Sequence, residues 1–125
     1  MKGKLLIVDD SATDRLIIKN MLDDYDVLTA GNGLEAMRVI DAEPDLDIII
    51  LDLNMPVMDG FEVLEALKDM GRDKWIRTII LTNYDELDKE LRGLQAGAVD
   101  YIRKPVNMES LRARIGIHLE LLRIQ

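Results

Sequence analysis

The sequence predicts an α/β fold: a five-stranded parallel sheet with helices packed on both faces. Two observations carry this. Short, continuous aliphatic runs, above all Leu5-Leu6-Ile7-Val8 and Ile48-Ile49-Ile50-Leu51, read as strands buried on both sides. Between such runs lie stretches with apolar residues at helical spacing, so that strand and helix alternate with little length to spare.

In chain order, the first run ends at Val8, and Ser11 follows as a helix N-cap. Leu16, Ile17, Met21 and Leu22 are expected on the inner side of that helix. A weaker strand at 27–30 leads through Gly31-Asn32-Gly33 into a second helix carrying Leu34, Met37, Val39 and Ile40. The third strand, 48–51, is the strongest. After Pro56 and Gly60 comes a helix with Phe61, Val63, Leu64 and Leu67, ending near Gly71. A fourth strand is expected at 79–81, and Leu87, Leu91 and Leu94 then recur at helical spacing up to the stop signal Gly97. Tyr101-Ile102 is a short fifth strand, Pro105 breaks it, and a last helix starts around Met108. Right-handed crossovers with strand order 2-1-3-4-5 give the flavodoxin-like doubly wound arrangement. Its ligands bind beyond the carboxyl ends of the strands, at the switch point between strands 1 and 3.

Composition bounds the function. At 125 residues the chain, 1–125, fits one domain with a real core. Its 24 acidic and 16 basic residues leave a net charge of −8, which argues against direct nucleic-acid binding. No apolar run is long enough to span a membrane, and the first strand starts too early for a signal peptide. With no cysteine as well, a cytoplasmic location is expected.

The strand ends carry the chemistry. Strand 1 runs into Asp9-Asp10, strand 3 into Asp52, strand 4 into Thr82 and strand 5 into Lys104-Pro105. Carboxylates gathered within roughly 4–5 Å repel one another by about 3–4 kcal/mol per pair at an effective dielectric near 20. Either protons stay on or a divalent cation joins them. Magnesium suits such a site, being hard, oxygen-seeking and content with one or two carboxylates plus a phosphate oxygen. Asp52 is then a nucleophile towards phosphorus, Lys104 a mobile cation for a phosphate oxygen, and Thr82 a hydroxyl donor to another. The same residues also admit simpler roles: a helix cap for the Asp9-Asp10 pair, ordinary strand-end positions for Asp52 and Thr82, a surface position for Lys104, a static edge aromatic for Tyr101.

Val8-Asp9-Asp10-Ser11, Leu51-Asp52-Leu53-Asn54-Met55-Pro56-Val57-Met58-Asp59-Gly60, Thr82 and Tyr101-Ile102-Arg103-Lys104-Pro105 together resemble the signature blocks of the response-regulator receiver family. The resemblance spans residues 4–120. It implies a two-component signalling domain in which Asp52 accepts a phosphoryl group from a histidine kinase or a histidine phosphotransfer protein. It also implies that Asp9, Asp10, Asp52 and the Asn54 backbone carbonyl hold Mg2+. Lys104, before a cis bond to Pro105, would contact the acyl phosphate. Thr82 and Tyr101 would be the switch pair that reshapes the face of helix 4, strand 5 and helix 5 towards an output domain or a second copy. At most such a domain is autocatalytic in phosphotransfer and dephosphorylation.

Some positions depart from this pattern or fall outside it. Asn83 is larger than the family's usual residue, and Tyr84 and Asn54 sit where acyl-phosphate lifetime is tuned. Alternatives are a degenerate receiver used as a docking scaffold, an aspartyl-nucleophile magnesium phosphohydrolase, and a flavin carrier. Intact site residues oppose the first; Asn54 in place of a second Asp opposes the second; the Asp9-Asp10 pair would repel a flavin phosphate. The Gly31-Asn32-Gly33-Leu34-Glu35-Ala36 segment mimics a dinucleotide fingerprint but follows an edge strand, so a tight turn is expected. His118, the only histidine, reads as a helix-surface residue. On the last helix Leu111, Ile115, Leu119 and Leu122 form one apolar stripe, and Ile117, Leu121 and Ile124 form another that a lone domain would expose. The helical pattern is intact at Gln125, which points to a connector continuing the helix.

Overall fold

A computed structural model describes residues 3–124. Five strands, β1 (Lys4–Val8), β2 (Asp26–Ala30), β3 (Ile48–Asp52), β4 (Arg77–Thr82) and β5 (Asp100–Arg103), form one sheet of order β2-β1-β3-β4-β5. All four pairings are parallel. The connections are α1 (Ala12–Met21), α2 (Gly33–Ala42), α3 (Gly60–Asp69) and α4 (Leu87–Gln95), with α5 (Met108–Arg123) after the last strand. A three-residue 3₁₀ turn, Arg72–Lys74, leads into β4. The expected doubly wound architecture and strand order are present, and the helical continuation at Gln125 lies outside the described residues.

The strand pleat divides the core in two. Leu6, Val8, Ile49, Leu51 and Ile80 pack on one face against Ala36 and Ile40 of α2 and Val63, Leu64 and Leu67 of α3. Leu5, Ile7, Ile48, Ile50, Ile79, Leu81 and Ile102 pack on the other against Ile18, Leu22, Leu111 and Ile115. The central strands are buried on both sides, which is why they read as unbroken aliphatic runs.

Side-chain caps start the helices where the sequence placed them. Ser11, Asn32 and Asn107 each accept from a backbone N–H in the first turn of α1, α2 and α5. Asp59 and Glu62 form a reciprocal capping box at α3. Gly33 leaves room for the Met58 backbone, since a Cβ there would lie 2.4 Å from the Met58 carbonyl oxygen. The glycine-rich segment thus closes a turn at the edge strand β2, as expected.

Helix faces were less legible. Leu16 and Ile17 are exposed, and α1 buries Ile18 instead, followed by Leu22. Leu34 is exposed while Ala36 and Ile40 face inward. On α4 the residues turned inward are Glu90 and Gly93, and Leu87, Leu91 and Leu94 lie on the open side. Gly93 permits this, because a Cβ at that position would lie 2.5 Å from Ile80 Cδ1. His118 corrects the surface reading: it is buried, accepts from Arg77 Nε at Nδ1 (3.0 Å) and meets Asp100 Oδ2 through Nε2 (3.1 Å). The second stripe of α5, Ile117, Leu121 and Ile124, is exposed as expected.

Candidate functional site

The register sets the site. Val8 pairs with Leu51, so Asp9 and Asp52 emerge side by side where β1 and β3 end. Both follow the pleat onto the α1 side of the sheet, and both are buried. Asp10, one residue further out, is exposed. Carboxylate oxygens of Asp9, Asp10 and Asp52 all lie within 4.8 Å of one another. This is the acidic cluster the sequence placed at the switch point.

Local backbone holds these acids in place. Asp9 Oδ1 accepts from the Ser11 N–H at 2.9 Å, and Asp52 Oδ1 accepts from the Asn54 N–H at 3.0 Å. Below Asp52 the chain passes so close to α3 that Gly60 has no space for a side chain: a Cβ would lie 2.6 Å from the Asp52 carbonyl oxygen. Val57, with φ 72, closes a tight three-residue turn between the Pro56 carbonyl and the Met58 N–H.

Lys104 reaches the cluster from the end of β5, before a cis peptide to Pro105. Its Nζ donates to Asp9 Oδ2 at 2.9 Å and to Asp14 Oδ2 at 3.2 Å, and lies 3.6 Å from Asp52 Oδ2. Burial opposes the ammonium charge, but the Asp9 hydrogen bond and the attraction of Asp52 outweigh it, so its pKa is raised. Asp52 is pushed up to about 6, chiefly by burial. The Asn54 N–H and Lys104 pull the other way, and Asp9 and Asp10 add to the rise. One ammonium does not neutralise three acids.

Thr82 and Tyr101 follow the pleat onto the opposite side of the sheet. The Thr82 hydroxyl is buried and donates to Glu90 Oε2 of α4 at 2.7 Å. Tyr101 is half-buried against the α2–α3 core, with the Arg103 guanidinium 5.4 Å from its ring centre. Asn54 spans the mouth of the site: its Nδ2 donates to Glu86 Oε2 at 3.0 Å, and its Oδ1 accepts from Lys89 Nζ at 2.6 Å. Lys89 holds the Glu86 carboxyl down to about 2. Asn83 and Tyr84 are exposed beside this bridge.

The sequence reading missed Asp14, Glu90 and Arg103. Asp14 carried a signal, because it lies in the first turn of α1, three residues after the N-cap Ser11 that directly follows the Asp9-Asp10 pair. Glu90 carried none. An acid among leucines at helical spacing reads as the solvent face, and its inward turn depends on close packing of Gly93 that only the fold reveals.

Residues 5–116 match the family described as the response regulator receiver domain. Chemotaxis protein CheY1 of Helicobacter pylori is 38% identical over 119 residues, covering 93% of this chain and 96% of that one. Sporulation initiation phosphotransferase F of Bacillus subtilis is 34% identical over 123 residues, covering 97% of each. Among solved structures, Vibrio cholerae chemotaxis protein CheY4 superposes with a TM-score of 0.84 at 35% identity, covering 93% of this chain and 98% of that one. A response regulator receiver domain protein from Clostridium thermocellum gives a TM-score of 0.89 at 30% identity and 98% coverage of both. An α/β signalling domain with an acidic strand-end site is therefore in hand. The chain belongs to the response-regulator receiver family, the phospho-accepting domains of two-component systems, which exchange with kinases or phosphotransfer proteins. No helix of the described residues is long and apolar enough to cross a membrane.

Proposed function

We propose that Asp52 is the residue that takes the phosphoryl group, and that the acidic cluster beside it holds Mg2+ for the transfer. The carrying observation is the convergence of Asp9, Asp10 and Asp52 within 4.8 Å around one ammonium. The donor set fits a hard divalent ion: three carboxylates, with the Asn54 backbone carbonyl added by resemblance to the family. The raised Asp52 pKa fits it too: burial above all, with Asp9 and Asp10 adding, makes the bare carboxylate charge costly, and a bound cation would lower that cost. Bound there, Mg2+ would neutralise charge on the incoming phosphoryl oxygens.

The protein's own groups do the rest. A carboxylate oxygen of Asp52 attacks phosphorus; the bond to the donor's histidine nitrogen breaks, and that nitrogen keeps the electron pair. Lys104 follows the negative charge from Asp9 towards a phosphoryl oxygen, and Thr82 donates to another. Tyr101 moves inward behind Thr82. The change is read out on the α4–β5–α5 face, where Leu87, Leu91, Leu94, Ile117, Leu121 and Ile124 stand exposed. That face would meet an output domain or a second copy, in the cytoplasm. The domain's own chemistry is limited to transfer onto Asp52 and hydrolysis from it, tuned at Asn54, Asn83 and Tyr84.

Incubation with Mg2+ and acetyl phosphate tests this by intact mass. One phosphoryl group should appear, be labile to base, require Mg2+ and be absent in Asp52→Asn. An adduct of equal yield in Asp52→Asn overturns the assignment.

A further inference from the structure

We propose that Glu90 and Arg103 form a latch that holds both switch residues in the unphosphorylated arrangement. Glu90 is then a positioning residue acting through Thr82. The inference rests on Asp52 as phosphoryl acceptor and concerns what must be undone when the phosphoryl group arrives.

The geometry is specific. Glu90 has 1% of its surface exposed, on the inner side of a helix whose leucines face outward. Its Oε2 takes the Thr82 hydroxyl at 2.7 Å and Arg103 Nε at 2.9 Å, while its Oε1 takes Arg103 Nη2 at 3.0 Å. Arg103 in turn lies over the Tyr101 ring. The pair therefore touches Thr82 through one member and Tyr101 through the other.

Proton count makes the contact exclusive. A threonine hydroxyl has a single hydrogen to donate. Here that hydrogen is committed to Glu90, on the side of the sheet away from Asp52, Asp9 and Lys104. A phosphoryl oxygen on Asp52 must take it from a buried, charged acceptor, and charge-assisted bonds are the strong ones. Packing alone does not require this arrangement: Glu90 is buried while its partner Arg103 stays half-exposed, and an apolar residue of similar volume would fill the Glu90 position without a carboxylate to desolvate. A latch explains why a paired acid occupies the position. It raises the free energy of the switched form relative to the resting one, which keeps the resting population high until Asp52 is modified.

Beryllofluoride, a stable mimic of the phosphoryl group on an aspartate, provides the test through its Kd measured by calorimetry in Mg2+. Glu90→Leu should bind it about tenfold tighter than the parent, the scale of one hydrogen bond to a charged group. Glu90→Gln, which keeps the volume and loses the ion pair, should show the same direction and serves if the leucine variant does not fold. Removing a negative charge near an anion site also tightens binding without any latch. The decisive measurement therefore repeats both substitutions in a Thr82→Ala background, where the gain should fall below about twofold, since no hydroxyl remains to release. Equal gains with and without the hydroxyl, or no gain at all, overturn the latch. A parent protein that binds no beryllofluoride, or binds it equally well as Asp52→Asn, overturns the acceptor assignment instead.

Discussion

The Lys104 ammonium donates to Asp9 Oδ2 at 2.9 Å, across 95 residues of chain, and stands 3.6 Å from Asp52 Oδ2. It therefore bonds the fully buried acid more closely than the one proposed to be modified. Truncating one member of a buried ion pair strands the other charge, which costs roughly 3–5 kcal/mol when both are dry. Lys104 is about a quarter exposed, so water screens part of that. Lys104→Ala should lose about 2 kcal/mol of stability in urea unfolding with EDTA at pH 7. Saturating Mg2+ should restore most of the loss, because the ion takes over the neutralising charge. An unchanged midpoint in EDTA would show that Lys104 contributes no charge neutralisation in the metal-free state.

Asp52 titrates near 6 in the fold against 3.8 for the free side chain. Between those values the native state binds more protons than the unfolded one, so stability falls as pH rises through this window. The metal-free protein is thus fully relieved of this penalty below about pH 4 and carries all of it above about pH 6. Asp52→Asn removes the charge and keeps the shape. The variant should exceed the parent by about 2 kcal/mol at pH 7 in EDTA, with the advantage vanishing towards pH 4. Magnesium should erase the difference by stabilising the parent alone. A pH-independent difference would mean that the raised Asp52 pKa plays no part.

Strands and strand-end acids were legible because two-sided burial leaves unbroken aliphatic runs in the sequence, and the strand order followed from the doubly wound pattern of alternating strands and helices. Asp9, Asp52 and Lys104 share one side of the sheet by pleat parity alone, as Thr82 and Tyr101 share the other. Helix faces were harder. On α1, Leu16 and Ile17 compete with Ile18 for the inner position, and periodicity over ten residues does not choose between them. The same limit hid Glu90, whose partners Thr82 and Arg103 lie on two other elements. Pairings between elements are set by packing, and a lone sequence carries no record of them.

Gly60 ties the site to α3 by the absence of a side chain. A Cβ there would lie 2.6 Å from the Asp52 carbonyl oxygen and 2.8 Å from Leu53 Cα, and backbone has little room to yield. Gly60→Ala should therefore cost about 1–3 kcal/mol, the range for overpacked sites. Because the clash bears on Asp52 itself, the rate of acetyl-phosphate modification should fall along with the urea midpoint. Unchanged rate and stability together would show that α3 gives way freely.

His118 joins α5 to the amino-terminal ends of β4 and β5, opposite to the phosphorylation site. With Nδ1 accepting from Arg77 Nε, a neutral ring carries its proton on Nε2, which donates to Asp100 Oδ2. Both nitrogens are satisfied at once, which makes a buried imidazole tolerable among Leu111, Ile115 and the sheet. His118→Ala leaves a cavity and two polar groups without their shared partner. It should cost about 2 kcal/mol in urea unfolding, combining the cavity and hydrogen-bond losses. The modification rate at Asp52 should stay within about twofold, because the two sites lie at opposite ends of the strands and share no partner. A variant as stable as the parent would show that Arg77 and Asp100 pair equally well without the ring. One that also loses the modification would show that the docking of α5 is felt across the whole length of the sheet.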